Sequence, residues 1–403
     1  MPFAPPVDDA LPDNTARPIM TRCIVHIGMH RTGSTSIQES LRGFDDGRFL
    51  YARLGDNSNH SLAMYSLFAP DPAQHHIHKS SRDSADAVSA YIARMQDDLD
   101  RAVTAARGRT LIISGEDINA IPIAGLRKLS DYLERHFHEV TVVGYVRPPA
   151  EQISSVVQHR IRIGAIDSLS LGQHYRPYKG TFSKFDEVFG LDKVRLWKFD
   201  PEGFSNRCVV RDFCARLGID VSEDRIVRLN ESLSRQVVSV LYMYRKLGPH
   251  GASTMTVQQS ENLVARLGGI GNDRFRLSPQ AIKPILESHR MDIGWIEARI
   301  GRTLQEQLVE RLPGDVRDEA DLMEPDPAVV RKLRALLDTR KLGSITGKTP
   351  KEVAQLVHAL REDIESTKRL SFFGGFLAEK KAAVLRYLHT RQTAVPVRGT
   401  KKR

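Results

Sequence analysis

The apolar positions of the chain fall into short unbroken runs separated by longer stretches with a helical period. Cys23-Ile24-Val25-His26-Ile27, bounded by Arg22 and Gly28, is too short for a helix and too apolar for a half-exposed strand, so it reads as a buried parallel strand. Ile37 and Leu41, with Gln38, Glu39 and Arg42 around them, predict a helix that begins after Thr35. Residues 44–90 read as irregular and polar, with Gly55-Asp56-Asn57-Ser58-Asn59-His60 inside them. A loop of that length in a compact domain is often functional. A helical period over 91–107 (Tyr91, Ile92, Met95, Leu99, Val103, Ala106) leads into a second strand, Thr110-Leu111-Ile112-Ile113-Ser114-Gly115-Glu116. A helix near 121–137 leads into a third strand over Val140–Val146, and Pro148-Pro149 suits the first turn of another helix. Asp192–Phe199 reads as a fourth strand and Phe204–Leu217 as an amphipathic helix.

Strands that alternate with helices imply a parallel sheet joined by right-handed crossovers. The first three strands then end on one rim. That brings together residues near 28–35, 114–117 and 147, at the edge where open α/β sheets bind ligands.

The character changes near 312, where Pro313, Gly314, Pro325 and Pro327 mark a linker. Helical segments are predicted near 328–340, 350–367 and 374–391. The division expected is a Pro- and Asp-rich disordered lead-in (1–21), one α/β domain (22–311) and a basic helical extension (312–403). The net charge of +10 belongs to the extension: residues 331–403 carry 18 Lys and Arg against 6 Asp and Glu, whereas the rest is nearly balanced at 41 against 43. The main domain therefore needs no global positive field, and no aromatic-interleaved surface argues for specific nucleic-acid binding. For 368–403, Phe372-Phe373-Gly374-Gly375-Phe376-Leu377 followed by Lys380-Lys381 leaves two readings, a helix packed on the main domain or weak contact with an anionic membrane. No run reaches the ~18 apolar residues of a membrane span, and no leader peptide is read at the N-terminus. Cys23, Cys208 and Cys214 lack ligand spacing and fit reduced core residues of a cytoplasmic protein.

The chemistry is concentrated between the first strand and the first helix. Gly28-Met29-His30-Arg31-Thr32-Gly33-Ser34-Thr35-Ser36 places glycines at both ends of a hydroxyl-rich loop that opens a helix. Unpaired backbone N–H groups and the positive end of a helix dipole make such a turn a phosphate cradle. The G-x-x-x-x-G spacing is that of a Walker A loop, but Ser34 stands where a nucleotide triphosphatase has its Lys. The loop cation is Arg31 instead.

This stretch resembles the 5′-phosphosulfate loop of the sulfotransferase family, commonly Pro-Lys-Thr-Gly-Thr/Ser-Thr-Ser, with His30 in the Pro position and Arg31 in the Lys position. Arg keeps the charge and can fork onto an anion, but it is bulkier than Lys. A second stretch, Arg147-Pro148-Pro149 with Ser155 eight residues after the Arg, is similar to the family's 3′-phosphate signature. The weaker likeness of 229–234 and 278–300 extends the resemblance over roughly 22–305.

The resemblance implies a P-loop-like three-layer α/β sandwich with a central parallel sheet. It also implies in-line, metal-free transfer of a sulfuryl group from 3′-phosphoadenosine 5′-phosphosulfate, leaving adenosine 3′,5′-bisphosphate. The acceptor would be a hydroxyl or amine of a saccharide, glycolipid or small molecule. Under that reading Arg31, Thr32, Gly33, Ser34, Thr35 and Ser36 hold the sulfated end of the donor, and Arg147 and Ser155 hold the 3′-phosphate. Glu116, at the end of the second strand, is the expected base, because family members place a His or Glu there. The local alternative is that Glu116 or Asp117 caps the following helix. His60 is the second choice for the base, or else an exposed loop histidine. His75-His76-x-His78 looks like a metal tract, but no Cys, Asp or Glu is spaced to complete it, and no metal is assigned. Two competing classes are a P-loop kinase or other nucleotide-binding protein, with Glu116 or Asp117 as its magnesium-proximal acid, and a non-enzymatic protein that binds through its basic C-terminal segment.

Overall fold

The computed structural model describes residues 21–166, 168–229, 232–249, 255–304, 312, 314–337 and 345–367. The lead-in at 1–20, the helix expected at 374–391 and the apolar and basic segment within 368–403 lie outside the described residues.

Five strands form one parallel sheet in the order β2-β3-β1-β4-β5: β1 Arg22–His26, β2 Phe49–Tyr51, β3 Thr110–Ser114, β4 Glu139–Val146 and β5 Val194–Lys198. The fold is α/β. The central strand, β1, is buried from Cys23 onward, as its unbroken apolar run requires. In chain order the helices are α1 Ser34–Leu41, α2 Ser61–Phe68, α3 His76–Ser81, α4 Ala85–Ala105, α5 Ile123–His136, α6 Pro149–Ile163, α7 Tyr178–Phe189 and α8 Val209–Leu217. They continue with α9 Arg235–Leu247, α10 Val257–Leu267, α11 Pro279–Ser288, α12 Arg290–Ile300, α13 Glu319–Met323 and α14 Pro327–Ala335. A further helix spans 350–367, and the described residues end there.

The chain folds as two compact units. Of the described residues, one holds those within 21–153, 175–229 and 284–304, and the other those within 154–174, 232–283 and 312–367. The first unit contains the whole sheet. Its core packs Ile37 and Leu41 of α1 and Phe213 and Cys214 of α8 with Ile24, Ile112, Val143 and Tyr145 of the sheet. Cys23, Cys208 and Cys214 are buried and free there. In the second unit Ser234 caps α9 by accepting from the Val237 N–H, and Thr256 and Gln259 form a reciprocal capping box on α10. The helix at 350–367 buries Val353, Leu356, Val357 and Leu360, the helical stripe that its sequence period predicts. No helix among the described residues is long and apolar enough to cross a membrane.

The stretch 44–90 departs from expectation, for it is ordered secondary structure and not a long irregular loop. It contains β2, α2, α3 and the start of α4. β2 is three residues long and gives no period to read. The eight residues of α2, Ser61–Phe68, are apolar on several faces because Ala63, Met64 and Phe68 are all buried. α4 begins at Ala85, where the Ser84 hydroxyl accepts from the Ala87 N–H, and buries Val88, Met95, Leu99 and Ala102 along one stripe.

Candidate active site

The rim at the C-terminal ends of β1, β3 and β4 is built from the glycine loop outward. Pairing of β1 with β4 runs on into the loop, since the Tyr145 N–H donates to the Gly28 carbonyl and the Met29 N–H to the Tyr145 carbonyl at 3.1 Å. Gly28, Arg31 and Gly33 all have left-handed backbone, with φ of 88°, 68° and 77°. Glycine adopts this freely, whereas at Arg31 it is a strained conformation of the kind that clusters at functional sites. A Cβ on Gly33 would lie 2.6 Å from Cγ1 of Val209, so the loop packs against α8 as only glycine allows. Inside the turn the Thr32 hydroxyl donates to the Met29 carbonyl at 2.7 Å.

Gly33 caps α1 with no side-chain hydrogen bond, and the first turn of that helix carries no acidic residue. Its opening N–H groups therefore have no capping side chain, the general arrangement in which a helix N-terminus can receive an anion. The hydroxyls of the loop are not equivalent. Thr32 is committed to the loop, and Ser36 is committed to Leu229, accepting from its N–H at 3.0 Å and donating to its carbonyl at 3.3 Å. Ser34 is buried, with its hydroxyl 3.5 Å from the Met29 carbonyl. Thr35 is half-buried and makes no side-chain hydrogen bond among the described residues.

Arg147 closes the rim from the end of β4. Its N–H meets Met29 Sδ at 3.4 Å, and the Tyr178 hydroxyl donates to its carbonyl at 2.7 Å. Its guanidinium donates to the Arg31 carbonyl, lies over the Phe199 ring at 5.2 Å and comes within 3.7 Å of the Glu151 carboxylate. The second basic motif thus reaches the first. Ser155 lies in the second turn of α6 and is buried.

Glu116 and Asp117 follow β3 and behave differently. A Cβ on Gly28 would sit 3.3 Å from Glu116 Cγ, so the Glu116 side chain rests directly on the first glycine of the loop. The Asn59 side-chain amide donates to its carboxylate at 3.3 Å. Burial pushes the Glu116 pKa up, and the nearby Asp117 charge adds to the rise. His30 and hydrogen bonds from Ser34 and Asn59 offset only part of it. Asp117 is the opposite case. Burial would raise its pKa, but hydrogen bonds from His30 and His75 outweigh that and hold the carboxyl well below the usual range.

His60 lies in the core and not in an exposed loop. Its imidazole is fully buried, Nδ1 accepts from the Ser114 N–H at 3.1 Å, and its backbone N–H donates to the Ser114 carbonyl at 2.8 Å. Burial lowers its pKa to about 4. The pair pins the start of α2 to the end of β3 and so fixes where Glu116 emerges. A Cβ on Gly115 would come 2.7 Å from the Ser61 nitrogen, which shows how closely those segments approach.

Sequence reasoning missed three pairings that build this rim. His26 in β1 bonds through Nδ1 to the Ser114 hydroxyl at 2.8 Å, which also accepts from Gln38 of α1 at 3.2 Å, and burial lowers the His26 pKa to about 3. Asn59 is the partner of Glu116, and Asp117 gathers His30 and His75. Each pairing joins residues far apart in the chain, so no local spacing signals it.

No protein-family model matches the chain, and no curated protein matches it. Among solved structures it is similar to a sulfotransferase from Alicyclobacillus acidocaldarius, with a TM-score of 0.36 and 15% identity over 69% of this chain and 95% of that one. The sulfotransferase domain from the curacin biosynthetic pathway gives a TM-score of 0.31 and 11% identity over 59% of this chain and 84% of that one. The sulfotransferase domain from the Synechococcus PCC 7002 olefin synthase gives 0.30 and 16% over 51% and 75%.

Proposed function

We propose that the chain transfers a sulfuryl group from 3′-phosphoadenosine 5′-phosphosulfate to a hydroxyl or amine of an acceptor, with saccharides and glycolipids as the first class to test. The observation that carries this reading is the guanidinium of Arg147 seated on the carbonyl of Arg31. A guanidinium held against the glycine loop supports a donor that carries phosphates at both its 3′ and 5′ positions. A triphosphate reading lacks its loop Lys, because that position is Ser34.

In this account the opening N–H groups of α1 and the Arg31 side chain hold the 5′ phosphosulfate, with the Thr35 and Ser34 hydroxyls beside it. Thr32 and Ser36 contribute through the loop they brace, since their hydroxyls are committed elsewhere. Arg147 takes the 3′-phosphate, and the family resemblance adds Ser155 to it. The acceptor oxygen attacks sulfur in line while the bond from sulfur to the bridging phosphate oxygen breaks. That electron pair leaves on the 5′-phosphate of adenosine 3′,5′-bisphosphate, where Arg31 and the loop amides stabilise it. Glu116, resting on Gly28 beside the loop, accepts the acceptor's proton. The free state of all three cysteines supports a cytoplasmic setting.

The test is release of adenosine 3′,5′-bisphosphate from the sulfated donor in the presence of a panel of saccharide, glycolipid and phenolic acceptors, with ATP and magnesium as the comparison. Acceptor-dependent release with sulfated product supports the reading. Magnesium-dependent ATP turnover without it would establish the kinase alternative.

A further inference from the structure

The tract His75-His76-x-His78 lacks an acidic partner at ligand spacing in the sequence, and the fold brings one to it. Asp117, just past β3, reaches the first turn of α3. Its Oδ2 lies 3.0 Å from His75 Nε2 and 3.9 Å from His76 Nδ1, and its Oδ1 lies 3.3 Å from His30 Nε2. The ligand atoms of His75, His76 and Asp117 all fall within 4.8 Å of one another. Tetrahedral zinc, with bonds of about 2.0–2.2 Å, sets its ligand atoms roughly 3.3 Å apart, so a small inward movement of His76 completes the set. His76 is free to make it, since its side chain is 72% exposed. His78 is not available, because Nδ1 is held by Asp83 at 2.8 Å and Nε2 by Ser66 at 2.9 Å.

We propose that His75 Nε2, His76 Nδ1 and an Asp117 carboxylate oxygen bind a divalent d-block cation, zinc above all, with the fourth position open to water. Two imidazoles and one carboxylate form the borderline nitrogen and oxygen donor set that zinc prefers over magnesium or calcium. His30 is the outer-shell donor that orients Asp117 through its other oxygen.

Without metal, His75 Nδ1 accepts from the Ile77 N–H at 3.3 Å, so the ring proton sits on Nε2 and points at Asp117. Metal takes the place of that proton, which moves to Nδ1, and the long Ile77 contact gives way. The ion ties the start of α3 to the segment after β3. This inference is independent of sulfuryl transfer, which needs no such ion.

The experiment uses the untagged full-length protein, stripped with a chelator and then dialysed against zinc or cobalt. Metal content per chain, zinc affinity by competition calorimetry and the visible spectrum of the cobalt form are the readouts. The expected result is one zinc per chain and the intense bands of four-coordinate cobalt. Affinity should fall by more than tenfold in His76→Ala and in Asp117→Asn, and by about 10- to 100-fold in His30→Ala. His136→Ala, at an exposed histidine remote in sequence from the cluster, should bind as the parent does. Because His76 is exposed, its variant folds even if Asp117→Asn does not. Absence of stoichiometric metal, or equal affinity in His76→Ala, overturns the proposal. Adenosine 3′,5′-bisphosphate binding measured on the same samples separates the two accounts, since either can fail while the other stands.

Discussion

The guanidinium of Arg147 donates to the backbone carbonyl of Arg31, so the residue that follows β4 is seated on the loop that follows β1. The carbonyl of Arg31 is held there by a left-handed backbone at φ 68°, flanked by Gly33 at φ 77°. Two motifs that lie more than a hundred residues apart in the chain thereby share one rim.

Removing that guanidinium should affect one ligand more than another. Charge-assisted hydrogen bonds are worth about 1.5–3 kcal/mol, so Arg147→Ala should weaken adenosine 3′,5′-bisphosphate binding by about 10- to 100-fold. Binding of 5′-AMP should change far less. Calorimetry on Arg147→Ala and Arg147→Lys checks this, with a circular dichroism spectrum to show that the loop's loss of a partner has not unfolded the chain. Equal loss for both nucleotides would place Arg147 in loop support alone.

The loop's packing gives a prediction about stability. A Gly33→Ala side chain would meet Val209 Cγ1 at 2.6 Å and would also be forced to φ 77°. The expected loss is about 1–3 kcal/mol in chemical denaturation. The double variant Gly33→Ala, Val209→Ala should recover the steric share and keep the backbone share. If the double variant is no better than Gly33→Ala, contact with α8 is not what constrains the loop.

Glu116 separates binding from turnover. Glu116→Gln keeps the shape that rests on Gly28 but cannot accept a proton. It should bind adenosine 3′,5′-bisphosphate like the parent and lose about 10²–10⁴-fold in sulfuryl transfer. A variant that turns over at the parent's rate would move the proton acceptor elsewhere.

Two buried histidines set the acid side of the stability profile. Burial holds His60 near a pKa of about 4 and His26 near about 3, against roughly 6.5 in the unfolded chain. The unfolded state therefore binds more protons below pH ~6.5, and the stability these neutral rings contribute is full above that pH. It is lost as pH falls toward 4 for His60 and toward 3 for His26, by up to about 1.4 kcal/mol per pH unit for each ring. Urea denaturation at a series of pH values should show this slope. His60→Gln should flatten it, whatever its absolute stability.

The legible part of the molecule was the part written in short unbroken runs. Cys23–Ile27, Thr110–Glu116 and Val140–Val146 announced three neighbouring strands, the second of which ends at Ser114, because strands buried on both faces need no partner in the sequence to be recognised. The same runs gave the rim, and the rim gave Arg31, Glu116 and Arg147 as neighbours. What could not be read was whatever depends on pairing at a distance. β2 and α2 were hidden because one is too short and the other too uniformly apolar to show a period. His60 stood in a polar stretch of sequence that the fold turns inward against Ser114. Ser36, a member of the loop by spacing, gives its hydroxyl to Leu229, and although 229–234 carries a weak family likeness, nothing in its spacing signals that contact. The partners of Asp117 were likewise invisible until α3 was set beside β3's end.

Calorimetry of the full-length chain with adenosine 3′,5′-bisphosphate, 5′-AMP and ATP tests the central claim most directly. The account predicts a strong preference for the bisphosphate, with no dependence on magnesium. Equal affinity for the bisphosphate and 5′-AMP, or tighter magnesium-dependent binding of ATP, would contradict it.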